Sequence, residues 1–277
     1  MPTPAPITFV ASTNSREILA NNFLASPCLQ EPHPHQVLVQ EGFPSAAKAY
    51  NQAIDHSAND LMVFAHQDIL FATNWVIDLQ RALKWLEVAD PNWGVLGCYG
   101  ETLNDDERGY ILSGAQGTIG KPFAHPAGVQ TLDEIVLILR RSSGLRFDEG
   151  LPNFHFYGTD ICMEAAKNGQ KAYAIPAFCV HNAAETVMLP KEFYQCYRYI
   201  KKKWMDWLPI QTTVIRLTRN DEQMYKRRLM EVYQRYVQRR VNGLYRVPDG
   251  RALLRKYEET LAPTGEANQE DSRTVCR

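Results

Sequence analysis

The chain has 277 residues, 45% of them apolar and 22% charged, with 30 Lys+Arg against 31 Asp+Glu and a formal net charge of −1. This length fits one large domain, or a domain plus an appendage, and can bury a sizeable core without disulfides or a structural metal. Near-neutrality taken whole excludes a nucleic-acid binder driven by bulk positive charge, and no apolar run approaches the roughly 18 residues of a spanning helix.

The stretch Met1 to Pro6 is Pro-rich, lacks Lys and Arg, and runs straight into a strand-like segment, unlike a signal peptide. Strand-like and helix-like segments then alternate. Ile7–Ala11 reads as a strand and Arg16–Leu24 as a helix. Val37–Gln40 is a second strand, followed by a helix over Ser45–Ser57 that keeps Ala46, Ala49, Tyr50 and Ala53 on one face. Leu61–Ala65 is apolar throughout, as befits a strand covered on both faces. A helix over Trp75–Val88 and a strand over Trp93–Tyr99 follow. Glu101–Gly128 is polar and glycine-bearing and reads as loops or an irregular hairpin. Ile135–Leu139 is a buried strand, Gly158–Gly169 carries a helix, and Ala172–Val180 is the last core strand. Pro190–Arg240 reads as helical, and the polar residues beyond Pro263 as disordered.

Such alternation predicts an α/β fold with a mostly parallel sheet and flanking helices. The organisation expected is a core over 1–188, a basic, aromatic helical extension over 189–262, and a tail over 263–277. The six cysteines form no C-x-x-C pair and are expected to be free thiols in a reducing cytoplasm.

Ligands of open α/β sheets sit at the carboxyl ends of the strands, which directs attention to Thr13 and Asn14, to Glu41, and to His66-Gln67-Asp68. A carboxylate directly after an apolar strand needs a partner. For Asp68 that partner is either solvent at a capped strand end or a hard divalent cation bridging to a phosphate.

Two stretches then carry a resemblance. The first is Ser45-Ala-Ala-Lys-Ala-Tyr-Asn51-Gln-Ala-Ile54 followed by Leu61-Met-Val-Phe-Ala-His-Gln-Asp68. The second comprises Leu132–Arg141, Phe147-Asp-Glu149, Phe154–Cys162 and Val180-His-Asn182. In this order they resemble family 2 glycosyltransferases of the GT-A (Rossmann-like) fold, over residues 7–182. The resemblance implies a sugar transferase that uses a nucleotide-diphosphate donor, UDP- or dTDP-sugar above all. A divalent metal, Mn2+ or Mg2+, would assist it, and the acceptor would be a glycan, a lipid-linked molecule or a protein.

Residue by residue, Asp68 matches the second Asp of the family's D-x-D motif, while His66 replaces the first. His181, after the last core strand, matches a position that often supplies a second metal ligand. Thr13, Asn14, Glu41, Tyr50, Asn51, His66 and Gln67 fall where the family grips its donor. Asn and Glu suit the imide edge of a pyrimidine and the hydroxyls of a ribose. The letter that usually supplies the catalytic base falls on Gly158, which makes Asp160 the leading base, with Asp133 and Glu134 in reserve. The resemblance also favours inversion.

Charge is unevenly spread: residues 1–190 hold 11 Lys+Arg and 20 Asp+Glu, and residues 191–240 hold 13 and 5. The latter also carry Phe193, Tyr194, Tyr197, Tyr199, Trp204 and Trp207. This segment either lies against an anionic membrane surface, making the protein peripheral on the cytoplasmic face, or packs its aromatics on the core. No nucleic-acid partner is expected. Two other functions stay open: a non-catalytic nucleotide-sugar or protein-binding module of the same fold, and a nucleotidyltransferase, for which Ser12–Arg16 offers a single cation.

Overall fold

A computed structural model describes residues 5–184, 187–240 and 247–261. Strand β1 (Thr8–Thr13) leads into helix α1 (Arg16–Asn21), and β2 (Gln36–Glu41) into α2 (Ala46–His56). Each helix starts at a serine, Ser15 or Ser45, whose side chain accepts an amide proton of the first turn. Next come β3 (Leu61–His66), the short β4 (Ile69–Phe71) and α3 (Trp75–Ala89). The middle of the chain supplies β5 (Val95–Gly97), β6 (Tyr99–Glu101), β7 (Glu107–Ser113), β8 (Gly117–Gly120), β9 (Ala127–Val129), β10 (Thr131–Leu132) and β11 (Val136–Arg140). Helix α4 (Tyr157–Lys167), β12 (Ala172–Ala174), β13 (Cys179–His181), α5 (Lys191–Lys203), α6 (Glu222–Val232) and α7 (Gly250–Leu261) complete the order.

The central sheet runs β2-β1-β3-β11-β5-β12-β9. Its first three strands are parallel, and β11 enters antiparallel between β3 and β5. The class is α/β with flanking helices, as expected, and the sheet itself is mixed. Alternating residues feed opposite layers. Met62, Phe64, Leu137 and Leu139 face the layer of α2, α4 and α5, whereas Val63, Ala65, Val136 and Ile138 face that of α3. Burial on both faces explains why these strands read as unbroken apolar runs.

A second sheet, β10-β6-β7-β13-β4 with β8 on β7, stands at the carboxyl end of β3. The stretch Ala172–Val180 is two strands, β12 in the central sheet and β13 in the second. Pro176 between them has no N–H to give to a ladder. Within Glu101–Gly128, β7 and β8 form a hairpin.

The stretch 190–240 is not continuously helical: α5 ends near Lys203, and an extended segment bridging Ile210 to Leu217 precedes α6. Of the two readings of its aromatics, packing on the core describes α5. Phe193, Tyr194, Tyr197 and Trp204 are buried in the same cluster as α2 and α4. The expected tail, 263–277, lies outside the described residues.

Candidate active site

Strand β3 carries His66 to the sheet edge, and a tight turn returns the chain into β4, leaving Asp68 mostly buried between them. β4 pairs antiparallel with β13 so that Ile69 stands opposite His181. That register, between segments more than a hundred residues apart, brings His181 Nε2 to 3.4 Å from Asp68 Oδ1. The His66 and His181 rings lie 5.7 Å apart. One ligand atom from each of His66, Asp68 and His181 falls within 4.8 Å of the others. Two imidazoles and a carboxylate are a donor set that could hold a divalent transition ion, and it fits Mg2+ less well, which prefers oxygen alone.

Tyr157, the first residue of α4, orients this group. Its hydroxyl donates to the Glu134 carbonyl oxygen at 3.1 Å and lies 3.0 Å from His66 Nε2. A carbonyl can only accept and a phenol has one proton, so with that proton on Glu134 the His66 Nε2–H donates to the Tyr157 oxygen, which also meets the Tyr50 hydroxyl. This network assigns the lone pair of His66 to Nδ1. Burial holds the His66 imidazole below its ordinary pKa, so it is neutral and able to ligate at pH 7.

Two cavities meet at His66. One, of about 450 Å³, is bounded by Thr13, Asn14, Phe43, Tyr50, Asp68 and Phe154. Among the described residues, no Lys or Arg lines it. Gln67 closes its floor: Oε1 accepts from Thr13 Oγ1 and from the amides of Asn14 (3.2 Å) and Ser15 (3.1 Å), and Nε2 donates to Asn14 Oδ1 at 2.7 Å. Thr13, Asn14 and Gln67 thus form one clamp around the β1–α1 turn. Tyr50 reaches the cavity from α2 while packing on Phe64, Phe147 and Tyr157.

The larger cavity, about 790 Å³, holds Asp133, Glu134, His155 and His181 on one side and Thr213, Arg227 and Gln234 on the other. Asp133 accepts from the Ile135 amide at 3.1 Å and from Thr213 Oγ1 at 2.5 Å. Glu134 sits at the amino end of α4, with Oε1 3.4 Å from the Gly158 amide. Burial and the neighbouring Asp133 push its carboxyl up to about 8, against the pull of the helix amides. A Cβ at Gly158 would lie 2.9 Å from both Glu134 Cγ and the Leu132 carbonyl oxygen. Only glycine leaves room there for a carboxylate arriving from another element.

Three expected site residues are elsewhere. Asp160, the leading base by its place in the motif, is 1% exposed and lines neither cavity. It accepts from Trp204 Nε1 at 2.6 Å and from Lys203 Nζ at 2.9 Å. Lys203 also holds Asp148 and Glu164, and although burial disfavours its charge, Asp160, Asp148 and Glu164 raise its pKa. Asp160 therefore anchors α4 to α5, and the carboxylates among the described residues that line the larger cavity are Glu107, Asp133 and Glu134. Asn51 is likewise buried: its amide brackets Phe147, donating to the carbonyl oxygen at 2.9 Å and accepting from the amide at 3.0 Å. Glu41 turns outward into a two-pronged pair with Arg16, at 2.9 and 2.8 Å.

Several lining residues are not singled out by the sequence. Phe43, Phe154, His155 and Tyr157 lie in or beside the quoted motifs, and their aromatic character beside strand ends is the available signal. Thr213, Arg227 and Gln234 come from the segment that reads as an appendage, and nothing local marks them.

Fold and site together define an α/β protein whose candidate site gathers around the carboxyl end of β3. Residues 29–204 match the glycosyltransferase-like family. The chain belongs to that family. A relative from Fuscovulum blasticum, described as "ATP synthase subunits region ORF 6", is 28% identical over 165 residues. The match takes in 58% of this chain and 66% of that relative, just under two thirds of its length.

Among solved structures, the chain is similar to the mannosyltransferase PcManGT from Pyrobaculum calidifontis, solved with GDP-Man and Mn2+. The TM-score is 0.46 and the identity 15%, over 96% of this chain and 77% of that one. It is also similar to S. aureus TarS 1-349, with a TM-score of 0.44 and 14% identity, over 84% and 73%.

Proposed function

We propose that the smaller cavity takes the nucleotide-diphosphate sugar, a UDP- or dTDP-sugar, and the larger one an acceptor hydroxyl of a glycan or lipid-linked molecule. The reading rests on one observation: His66 belongs to both cavities, with Asp68 lining the first and His181 the second. A diphosphate in the smaller cavity would meet the Asp68 carboxylate and no protein cation from the lining. A divalent ion held by His66, Asp68 and His181 would supply the missing charge and stabilise the departing diphosphate. Tyr157 keeps His66 in the ligating tautomer, and the Gln67 clamp holds Thr13 and Asn14 for the nucleoside.

Transfer also needs a base for the acceptor proton, a role contributing roughly 10²–10⁴-fold. Glu134, with its raised pKa, is assigned to it, and Asp133 beside it keeps that pKa high. A carboxylate removing the acceptor proton across the cavity from the donor fits direct displacement with inversion.

Calorimetry against UDP-, dTDP- and GDP-sugars, with and without Mn2+, tests this reading. Binding of at least one donor that strengthens with Mn2+, and loses that gain in Asp68→Ala, is the expected result. Absence of binding by every donor would sink it.

A further inference from the structure

Helix α6 continues through a π-helical turn, Tyr233–Val237, and its two sides differ in kind. The inner side is fixed to α5. Tyr194 Oη donates to the buried Glu231 at 2.8 Å, Arg227 pairs with Glu231 at 3.1 Å, and the Arg228 guanidinium sits 4.9 Å from the Tyr194 ring centre. The outer side is apolar and open. Tyr225 (61% exposed), Leu229 (70%), Tyr236 (70%) and Val237 (64%) recur at helical spacing, with Val232 and Tyr233 between them. An exposed stripe this long is unusual for a soluble surface and marks a contact face.

The charge around the stripe selects what it contacts. Residues 222–240 hold six Lys+Arg and two Asp+Glu. Of the two acids, Glu222 pairs with Lys226, and Glu231 is turned inward. Arg235 and Arg239 flank the stripe in exposed positions. A second copy docked by a two-fold axis would set this basic rim against itself. An anionic bilayer surface complements both parts: tyrosines and leucine enter the headgroup layer while the arginines meet lipid phosphates.

We infer that the outer face of α6 and its continuation is a membrane-contact surface for anionic lipid. Because Arg227 and Gln234 on the same helix line the larger cavity, docking would bring the mouth of that cavity to the bilayer. Helix α5, whose aromatics pack on the core, takes no part. This inference does not depend on donor binding, which is measured separately.

The test is sedimentation of the full chain with vesicles of phosphatidylcholine alone or mixed with phosphatidylglycerol, at low and high salt. Salt-sensitive binding to the mixed vesicles is expected. Arg235→Gln with Arg239→Gln should weaken it roughly 10–30-fold, from the attraction of two cations to an anionic surface. Leu229→Ser with Tyr236→Ser should weaken it by about 10-fold or more through lost apolar burial. All four side chains are exposed, so melting temperatures should stay native, and the two pairs probe charge and apolar burial independently. Equal binding to both vesicle types, or retention by both variants, would overturn the inference. So would a native dimer that Leu229→Ser with Tyr236→Ser dissociates, since the stripe would then be a self-interface.

Discussion

Asp160→Asn separates a structural carboxylate from a catalytic one. In the native protein Asp160 offers two acceptor oxygens to two donors, Trp204 Nε1 at 2.6 Å and Lys203 Nζ at 2.9 Å. An amide keeps one acceptor and turns an NH2 toward the other donor. One charge-assisted hydrogen bond is lost in a buried setting, costing about 1.5–3 kcal/mol. Lys203 retains Asp148 at 2.8 Å and Glu164 at 2.9 Å, which limits the damage. At roughly 2–4 °C per kcal/mol for a chain of this size, the melting temperature should fall by roughly 3–12 °C. Lys203→Met, which leaves a buried carboxylate with Trp204 alone, should cost more, about 3–5 kcal/mol.

Turnover per folded molecule should stay within about threefold of native in Asp160→Asn, because no reacting group has moved. Thermal unfolding and single-turnover rates on the folded fraction give both readouts. A native melting temperature with a loss in the range of roughly 10²–10⁴-fold would mean that Asp160 is the base after all.

Glu134→Gln should show the opposite pattern, with activity lost and stability kept or raised at neutral pH. Its carboxyl titrates near 8 in the fold, so below that the unfolded chain ionises first and the buried carboxyl weakens the native state progressively as pH rises from the ordinary carboxylate range to about 8. In the native enzyme at saturating Mn2+, kcat/KM should rise with pH up to about 8, since the base must be ionised. A plateau already reached at roughly pH 5 would take the role away from Glu134. Tyr157→Phe should lower Mn2+ affinity about 10–100-fold by releasing the His66 tautomer, with activity regained at high Mn2+. Unchanged Mn2+ affinity by calorimetry would refute that role. Gly158→Ala should displace Glu134, costing about 1–3 kcal/mol by overpacking together with most of the activity. A variant with native turnover would show that Glu134 need not stand there.

The parts of the fold legible in sequence are those set by local chemistry. The unbroken run Leu61–Ala65, the serine caps at 15 and 45 and the amphipathic face of 46–53 each report their own environment. Pro176 is an equally plain signal, and dividing Ala172–Val180 at it separates β12 from β13.

Site residues divide in the same way. His66, Gln67 and Asp68 follow directly from where β3 ends. The direction of the Asn51 side chain depends on a loop at Phe147, and that of Asp160 on a lysine 43 positions downstream. A helix-start aspartate therefore looks alike in sequence whether it faces a cleft or an ion pair. Glu134 ranks second in the sequence because the motif letter for the base falls at 158. Its neighbour there is a glycine whose smallness makes the space that Glu134 fills.

The β4–β13 pairing has a consequence for the order of events in the life of the chain. Asp68 is synthesised early and His181 more than a hundred residues later, and the two meet only when β13 closes on β4. Such a long-range closure is entropically late in folding. A nascent chain that ends after β3 therefore lacks His181, and it also lacks Phe154 and Tyr157 of the smaller cavity. The His66, Asp68 and His181 cluster is completed together with a wall of the second cavity, so the two features form in one step.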